Sequence, residues 1–329
     1  MNALSVVAIA SFAIDVRTIA VPEPGPHDVA IRVTTSWISN GTESSFIRGE
    51  RIAGDTPRGL DDPSPFPHVP GYQKVGVVER VGTAVTEFSV GDSVFATVSK
   101  VEGMFYDFGG HVSPAVTHKS QVWKLPEGLD PAAASGLVLT QVGVNCGIRP
   151  ALELGDAAIV MGDGLVGQWA AQTLRRRGAR VLLVGRRTER LALWEGDSVD
   201  ARTADIVATA REFAPGGAQV LVDTVGSLDT IYALLPTLRH GAHLVSAGFY
   251  GEAGKIDLQR LRAGELTVHT PAGWSRPRLD TTLAWLANGS LTTLPLVTHR
   301  LPVAQAAEAY SWILEKRPGV LGVLLEWPA

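Results

Sequence analysis

Residues Gly162-Asp163-Gly164-Leu165-Val166-Gly167 constrain this chain more tightly than any other stretch. An apolar run, 157–161, enters the glycines, and an apolar-faced segment, 165–177, leaves them. A second apolar run, 180–184, ends in Gly185-Arg186-Arg187. The spacing predicts a strand, a tight turn, a helix and a second strand. Such a unit holds a dinucleotide pyrophosphate: the first glycine turns the chain, the second lets backbone approach phosphate, and the third lets helix pack on strand. The pyrophosphate rests against the positive end of the helix. Gly162, Gly164, Leu165, Val166 and Gly167 are therefore candidate cofactor-binding residues.

The end of the second strand bears on which dinucleotide is held. A site for the unphosphorylated form places a carboxylate about twenty residues on, where it accepts from the ribose hydroxyls. No Asp or Glu stands between Gly167 and Arg187. Gly185, Arg186 and Arg187 occupy the position, with Arg190 one helical turn further. A guanidinium fork suits a 2′-phosphate, so the expectation is NADP(H). The alternative is that these arginines are a solvated strand end.

At 329 residues the length suggests about two domains. Hydrophobic residues make up 45% and charged residues 19%, a globular balance, and a net charge of −4 gives no reason to invoke nucleic acid. The basic triplet 175–177 ends the predicted helix, where cations complement the dipole. The one cysteine, Cys146, allows no intrachain disulfide and no cysteine-rich metal lobe. The apolar stretch 3–14 lacks a preceding basic region, is interrupted by Asp15 and is too short to span a bilayer. The expectation is a cytoplasmic protein with no membrane partner.

The first part reads as β structure, with short β-branched runs at 5–10, 13–21, 28–33, 74–81 and 93–98. The connection 48–67 is rich in Gly, Pro, Asp and Arg and long for its kind, either a mobile loop over a site or an inert insertion. From Pro131 helices alternate with strands: helix 131–146, the glycine unit, helix 205–214, strand 218–223, helix 228–239, strand 243–248 and strand 266–270. This pattern predicts a parallel doubly wound sheet in an α/β fold. Helices 277–287 and 303–315 follow, and a last strand, 319–325, is expected to return to the first domain. The domains are then 1–130 with 295–329, and 131–294.

A β-rich domain interrupted by a nucleotide-binding one resembles the medium-chain dehydrogenase/reductase superfamily across essentially the entire chain. The markers are Val69-Pro70-Gly71, Val75-Gly76, Val81-Gly82, Gly91-Asp92, Gly109-Gly110, Lys124-Leu125-Pro126, the glycine turn and Leu301-Pro302. Within it, Ile38-Ser39-Asn40-Gly41-Thr42-Glu43 is most similar to the 3-hydroxyethyl bacteriochlorophyllide a dehydrogenase branch. The resemblance implies a GroES-like β-rich catalytic domain and a Rossmann nucleotide-binding domain. It implies that Thr140 approaches the nicotinamide end, that Thr224-Val225-Gly226 contacts the adenosine side, and that Ala247-Gly248 closes over the nicotinamide.

Aligned on that family, the catalytic zinc ligands fall on Asn40, Tyr72 and a position near Gly136, with the adjoining glutamate at Gln73. Asn, Tyr and Gly do not supply a zinc site, so the expectation is a metal-free protein. His68 and His111, nearest the expected cleft, read as structural hydrogen-bonding residues. Without a Lewis acid, side chains must stabilise or protonate the carbonyl oxygen. Thr42 stands where the family relays the substrate proton, and Tyr72 where a ligand stood. Glu43 is placed to organise them or shuttle a proton, and Asn40, Gln73 and Gln141 to bind substrate. The alternative is that Thr42 only caps a helix with Glu43 in its first turn.

Three functions are consistent with this pattern. The first is a zinc-independent dehydrogenase moving hydride between NADP(H) and a secondary alcohol or ketone, on a bulky or cyclic, specialised-metabolite substrate. The second is an NADPH-dependent enoyl or quinone reductase, and the third a non-catalytic nucleotide-binding protein. Residues 266–270, an apolar edge of the nucleotide sheet, lead us to expect a homodimer paired through that strand.

Overall fold

A computed structural model describes residues 1–251 and 254–328. The chain divides into two compact units, Met1–Val138 with Leu283–Ala329, and Leu139–Thr282. The boundaries differ from those read off sequence texture, for a packing reason. Helix Pro131–Ala134 lies on strands Lys74–Val81 and Ser93–Ala96 of the first unit. There Thr293 Oγ1 donates to the Ala133 carbonyl at 2.8 Å.

In the first unit a seven-stranded sheet runs Val122–Lys124, Ser93–Ala96, Lys74–Val81, Asp28–Trp37, Gly322–Glu326 and Val297–Pro302, with Ala115–His118 also pairing on Asp28–Trp37. Val29, Ile31 and Val33 alternate along one strand and meet Val94, Ala96 and Val122 in a fully buried core. The two-residue period of a strand puts those side chains on one face. Strand Gly322–Glu326 pairs antiparallel with Asp28–Trp37, Leu324 opposite Trp37, so the chain's end completes the sheet its beginning started. Segment 48–67 carries a short hairpin, Arg51–Ala53 with Thr56–Pro57. The expected helix 131–146 is two helices, Pro131–Ala134 and Leu137–Ile148. Between them a Cβ on Gly136 would stand 2.7 Å from the Trp37 ring.

The second unit is a six-stranded parallel sheet ordered Asp197–Asp200, Arg180–Gly185, Ala157–Met161, Ala218–Asp223, Leu238–Ser246 and Thr267–His269. Its central strands are buried on both faces, the mark of a parallel sheet covered by helices. Ala158, Val160, Leu183 and Val220 face one core, and Ile159, Met161, Leu182 and Leu221 face the other. The strand order reverses beside Ala157–Met161, which is where such sheets bind ligands.

One local expectation fails, and two short elements were not predicted. Helix 228–239 stops at Leu234, a 3-10 turn Leu235–Thr237 follows, and Leu238 and Arg239 already belong to the next strand. Pro236 has no amide to continue the helix. Strand Asp197–Asp200 and helix Thr188–Leu191 lack an apolar period: Val199 and Leu191 are their only buried residues.

Lys74 lies wholly buried on its strand, its Nζ donating to the Thr97 carbonyl at 2.5 Å. Among the described residues it has no ion-pair partner. Burial without a counter-charge pushes its ammonium down to about 7. An unfolded lysine keeps its proton to a much higher pH, so between about 7 and 10 the unfolded chain binds more protons and this group makes stability rise with pH. Lys74→Met should therefore be more stable than the parent at pH 7, by roughly 2–4 kcal/mol. That advantage should shrink as pH rises towards 10, as urea unfolding of both proteins will show.

Candidate active site

The glycine turn of the second unit assigns a separate physical task to each glycine. Gly162 has φ +112°, and a Cβ there would lie 2.2 Å from Thr224 Oγ1, which itself donates to the Met161 carbonyl at 2.8 Å. Gly164 caps helix Leu165–Arg176 without a side-chain hydrogen bond, and a Cβ there would meet nothing within 4 Å. Gly167 would press its Cβ to 1.8 Å from the Gly162 carbonyl. The first turns the chain, the second leaves open space before first-turn amides, and the third lets helix touch strand. A cavity of about 280 Å³ opens there, lined by Gly162, Asp163, Gly185, Arg186, Val225 and Thr230 among others. A dinucleotide fits this arrangement: open backbone, a helix N-terminus and a pocket beside them.

Asp223, at the end of a central strand, gathers the neighbouring segments. Its carboxylate accepts from Val225 N at 3.0 Å and from Gly226 N, and its carbonyl from Ala247 N at 2.8 Å. A Cβ on Gly248 would fall 2.1 Å from Gly226 N, so the two expected contact segments touch backbone to backbone. Tyr250 OH donates to the same carboxylate, and burial raises that phenol far above its ordinary value. Asp163 does similar work at the turn, its Oδ2 accepting from Arg186 N at 2.7 Å and Arg187 N at 2.8 Å. Neither aspartate was singled out from sequence, although each adjoins a predicted turn. Thr140 is fully buried, and Gln141 donates Nε2 to the Gly273 carbonyl at 2.9 Å while its buried Oε1 accepts no hydrogen bond among the described residues.

In the first unit, Glu43 lies in the opening turn of the short helix Thr42–Ile47, 2% exposed. Its Oε1 accepts from Ser39 N at 2.7 Å, while its Oε2 stands 3.0 Å from His111 Nε2 and accepts from Tyr310 OH. His111 Nδ1 meets Ser36 Oγ at 2.8 Å, and Trp327 Nε1 donates to that oxygen at 2.9 Å. With Nε2–H directed at the carboxylate, Nδ1 is left to accept from Ser36. Beside this network Tyr72 OH donates to Ser39 Oγ at 2.7 Å, and burial pushes the phenol up to about 12. Ser39 thus binds Glu43 through its amide and Tyr72 through its hydroxyl.

Asn40, Thr42, Glu43, Tyr72 and Gln73 therefore share one region. Gly41, not Thr42, caps the helix, and it does so with no side-chain hydrogen bond. Asn40 donates Nδ2 to the Leu321 carbonyl at 2.6 Å and keeps a buried Oδ1 without a hydrogen-bond partner among the described residues, while Gln73 Nε2 donates to the Trp37 carbonyl at 3.2 Å. Ser39, His111 and Tyr310 emerge only from the structure as a group. Asn40, Tyr72 and Gly136 do not fit zinc: an amide, a high-pKa phenol and a residue with no side chain are not its donors. Among the described residues no group of three or more His, Cys, Asp or Glu could hold a metal ion. Likewise no helix is long and apolar enough to cross a membrane.

Residues 25–127 match the family described as Alcohol dehydrogenase GroES-like domain, and residues 166–288 that described as Zinc-binding dehydrogenase. The chain is 28% identical over 317 residues to 2-desacetyl-2-hydroxyethyl bacteriochlorophyllide A dehydrogenase of Rhodobacter capsulatus, covering 93% of this chain and 92% of that one. Its fold is similar to an Escherichia coli alcohol dehydrogenase complexed with NADH, at TM-score 0.84 and 19% identity over 99% of both chains. It is also similar to a protein of Sinorhizobium meliloti described as a zinc-binding dehydrogenase and bound to NADP, at TM-score 0.81 and 21% identity over 99% of both.

The two later glycines should separate binding from folding. Gly164→Ala should leave thermal stability unchanged and weaken dinucleotide binding by about tenfold, because the methyl takes the space of the phosphate. Gly167→Ala should cost roughly 1–3 kcal/mol or more in stability despite alanine's better helix propensity. Calorimetric melting and cofactor titration of both variants would check the contrast.

Proposed function

The chain belongs to the medium-chain dehydrogenase/reductase superfamily, and we propose that it is a zinc-independent member moving hydride between NADP(H) and a secondary alcohol or ketone. The observation that carries the proposal is the cavity at the glycine turn with Arg186 in its wall. Arg187 follows at the cap of helix Thr188–Leu191 and Arg190 within it, and guanidinium groups suit a 2′-phosphate. The bulky or cyclic substrate is supported by the relative that bears a bacteriochlorophyllide in its name.

The bound cofactor supplies or accepts hydride at its nicotinamide ring. The protein's residues handle the proton. Reduction of a ketone places negative charge on its oxygen, and the Tyr72 phenol, kept protonated by burial, is the group to donate there. The phenol's single proton rests on Ser39 Oγ, and to give it to the substrate oxygen the phenol turns it there while the Ser39 hydroxyl donates to the phenol oxygen in return. Glu43 fixes Ser39 through its amide, with His111 and Tyr310 occupying the other carboxylate oxygen. Glu43 thereby positions, and its oxygens are already engaged. Thr42 and the unpartnered Asn40 Oδ1 are the groups to hold the substrate hydroxyl.

Strand Thr267–His269 lies at the edge of the nucleotide sheet with Val268 40% exposed, and a second copy pairing there would cover it. Light scattering at micromolar concentration should then give twice the chain mass; the monomer mass would refute the pairing.

Tyr72→Phe should lower kcat for ketone reduction by about 100-fold or more while leaving the Kd for NADPH unchanged. Assays of NADPH oxidation against cyclic ketones and α,β-unsaturated carbonyls in parallel should favour the ketones. Undiminished turnover by the Phe variant would remove the phenol from the chemistry, and preference for the enones would replace carbonyl by C=C reduction.

A further inference from the structure

A carboxylate from elsewhere in the chain reaches the end of the second strand. Asp163 is 8% exposed and lines the same cavity as Gly185 and Arg186. Gly162, with its positive φ, turns the chain so that the next side chain crosses over the end of strand Arg180–Gly185. There Asp163 Oδ2 takes both amides of Arg186 and Arg187. A Cβ on Gly185 would lie 2.4 Å from that oxygen, so this strand must end in glycine to admit the carboxylate. Asp163 Oδ1 makes no hydrogen bond among the described residues and has the Arg190 guanidinium at 3.8 Å.

We propose that Asp163 is the ribose-facing carboxylate of this cavity and sets cofactor preference in opposition to Arg186. The proposal rests on the dinucleotide reading above. A 2′-hydroxyl donates to Oδ1, whereas a 2′-phosphate must approach a fixed negative charge that solvent screens poorly at this depth. The arginines act in the opposite sense, since they attract phosphate and offer an uncharged ribose little. Preference therefore follows the balance of one carboxylate against nearby guanidinium groups, not the arginines alone. Asp163 also holds the backbone that carries Arg186 and Arg187, so it positions the groups it opposes.

Fluorescence titration of the full-length protein with NADH and NADPH tests this. Asp163→Asn keeps an oxygen for the two amides and removes the charge. It should weaken NADH by about tenfold and leave NADPH equal or tighter, consistent with loss of one charge-assisted hydrogen bond. Arg186→Gln should shift the ratio the other way. Equal loss of both cofactors in Asp163→Asn would reduce Asp163 to a loop anchor and overturn the proposal. Should the Asn variant fail to fold, Asp163→Ser repeats the comparison. Parent protein that binds neither dinucleotide would sink the cofactor reading itself, an outcome distinct from a measured but unmoved ratio.

Discussion

The site regions in both units depend on one interaction: a buried carboxylate that has exchanged water for backbone amides. Glu43 takes the Ser39 amide, Asp163 those of Arg186 and Arg187, and Asp223 those of Val225 and Gly226. Removing a carboxylate from water is costly, and only several charge-assisted hydrogen bonds in good geometry offset that cost. Irregular loops can supply those bonds, because their amides lack a ladder partner. The exchange works in both directions. The loop satisfies the acid, and the acid fixes the loop that bears Tyr72's partner, the arginines or the Gly226 turn.

This explains how a chain with unsuitable metal ligands can still present an ordered polar site. At Asn40, Tyr72 and Gln73 this chain has a phenol and two amide side chains, each tied to the protein by a hydrogen bond. Burial raises the phenol to about 12, which makes it a poor base and a retained proton source at neutral pH. Hydrogen-bond donation from a fixed neutral group stabilises developing oxyanion charge without reorganisation. Its rigidity comes from below, from Glu43, His111 and Tyr310, none of which needs to touch a substrate. Lys74 is the contrast: a buried charge with one carbonyl and no acid, positioned to destabilise the fold.

Legibility in the sequence followed the range of the interaction. The glycine turn was readable because its three glycines fall within one strand-turn-helix unit, and strand Ala157–Met161 because alternating burial on two cores left a continuous apolar run. The Glu43–Tyr310 contact spans 267 residues, and no periodicity links such distant positions. Helix 228–239 failed because an apolar run with helical spacing conceals a proline that ends the helix in a 3-10 turn just before the next strand. Asp163 was concealed differently. The rule for ribose recognition looks forward from the glycines to the second strand, whereas this acid sits among them and reaches that strand through space. A scan for absent acids counts residues along the chain, but a ribose hydroxyl responds only to the oxygen nearest it. The Gly185 that ends the strand was visible throughout, and its lack of a side chain is the mark that another residue's carboxylate leaves on the sequence.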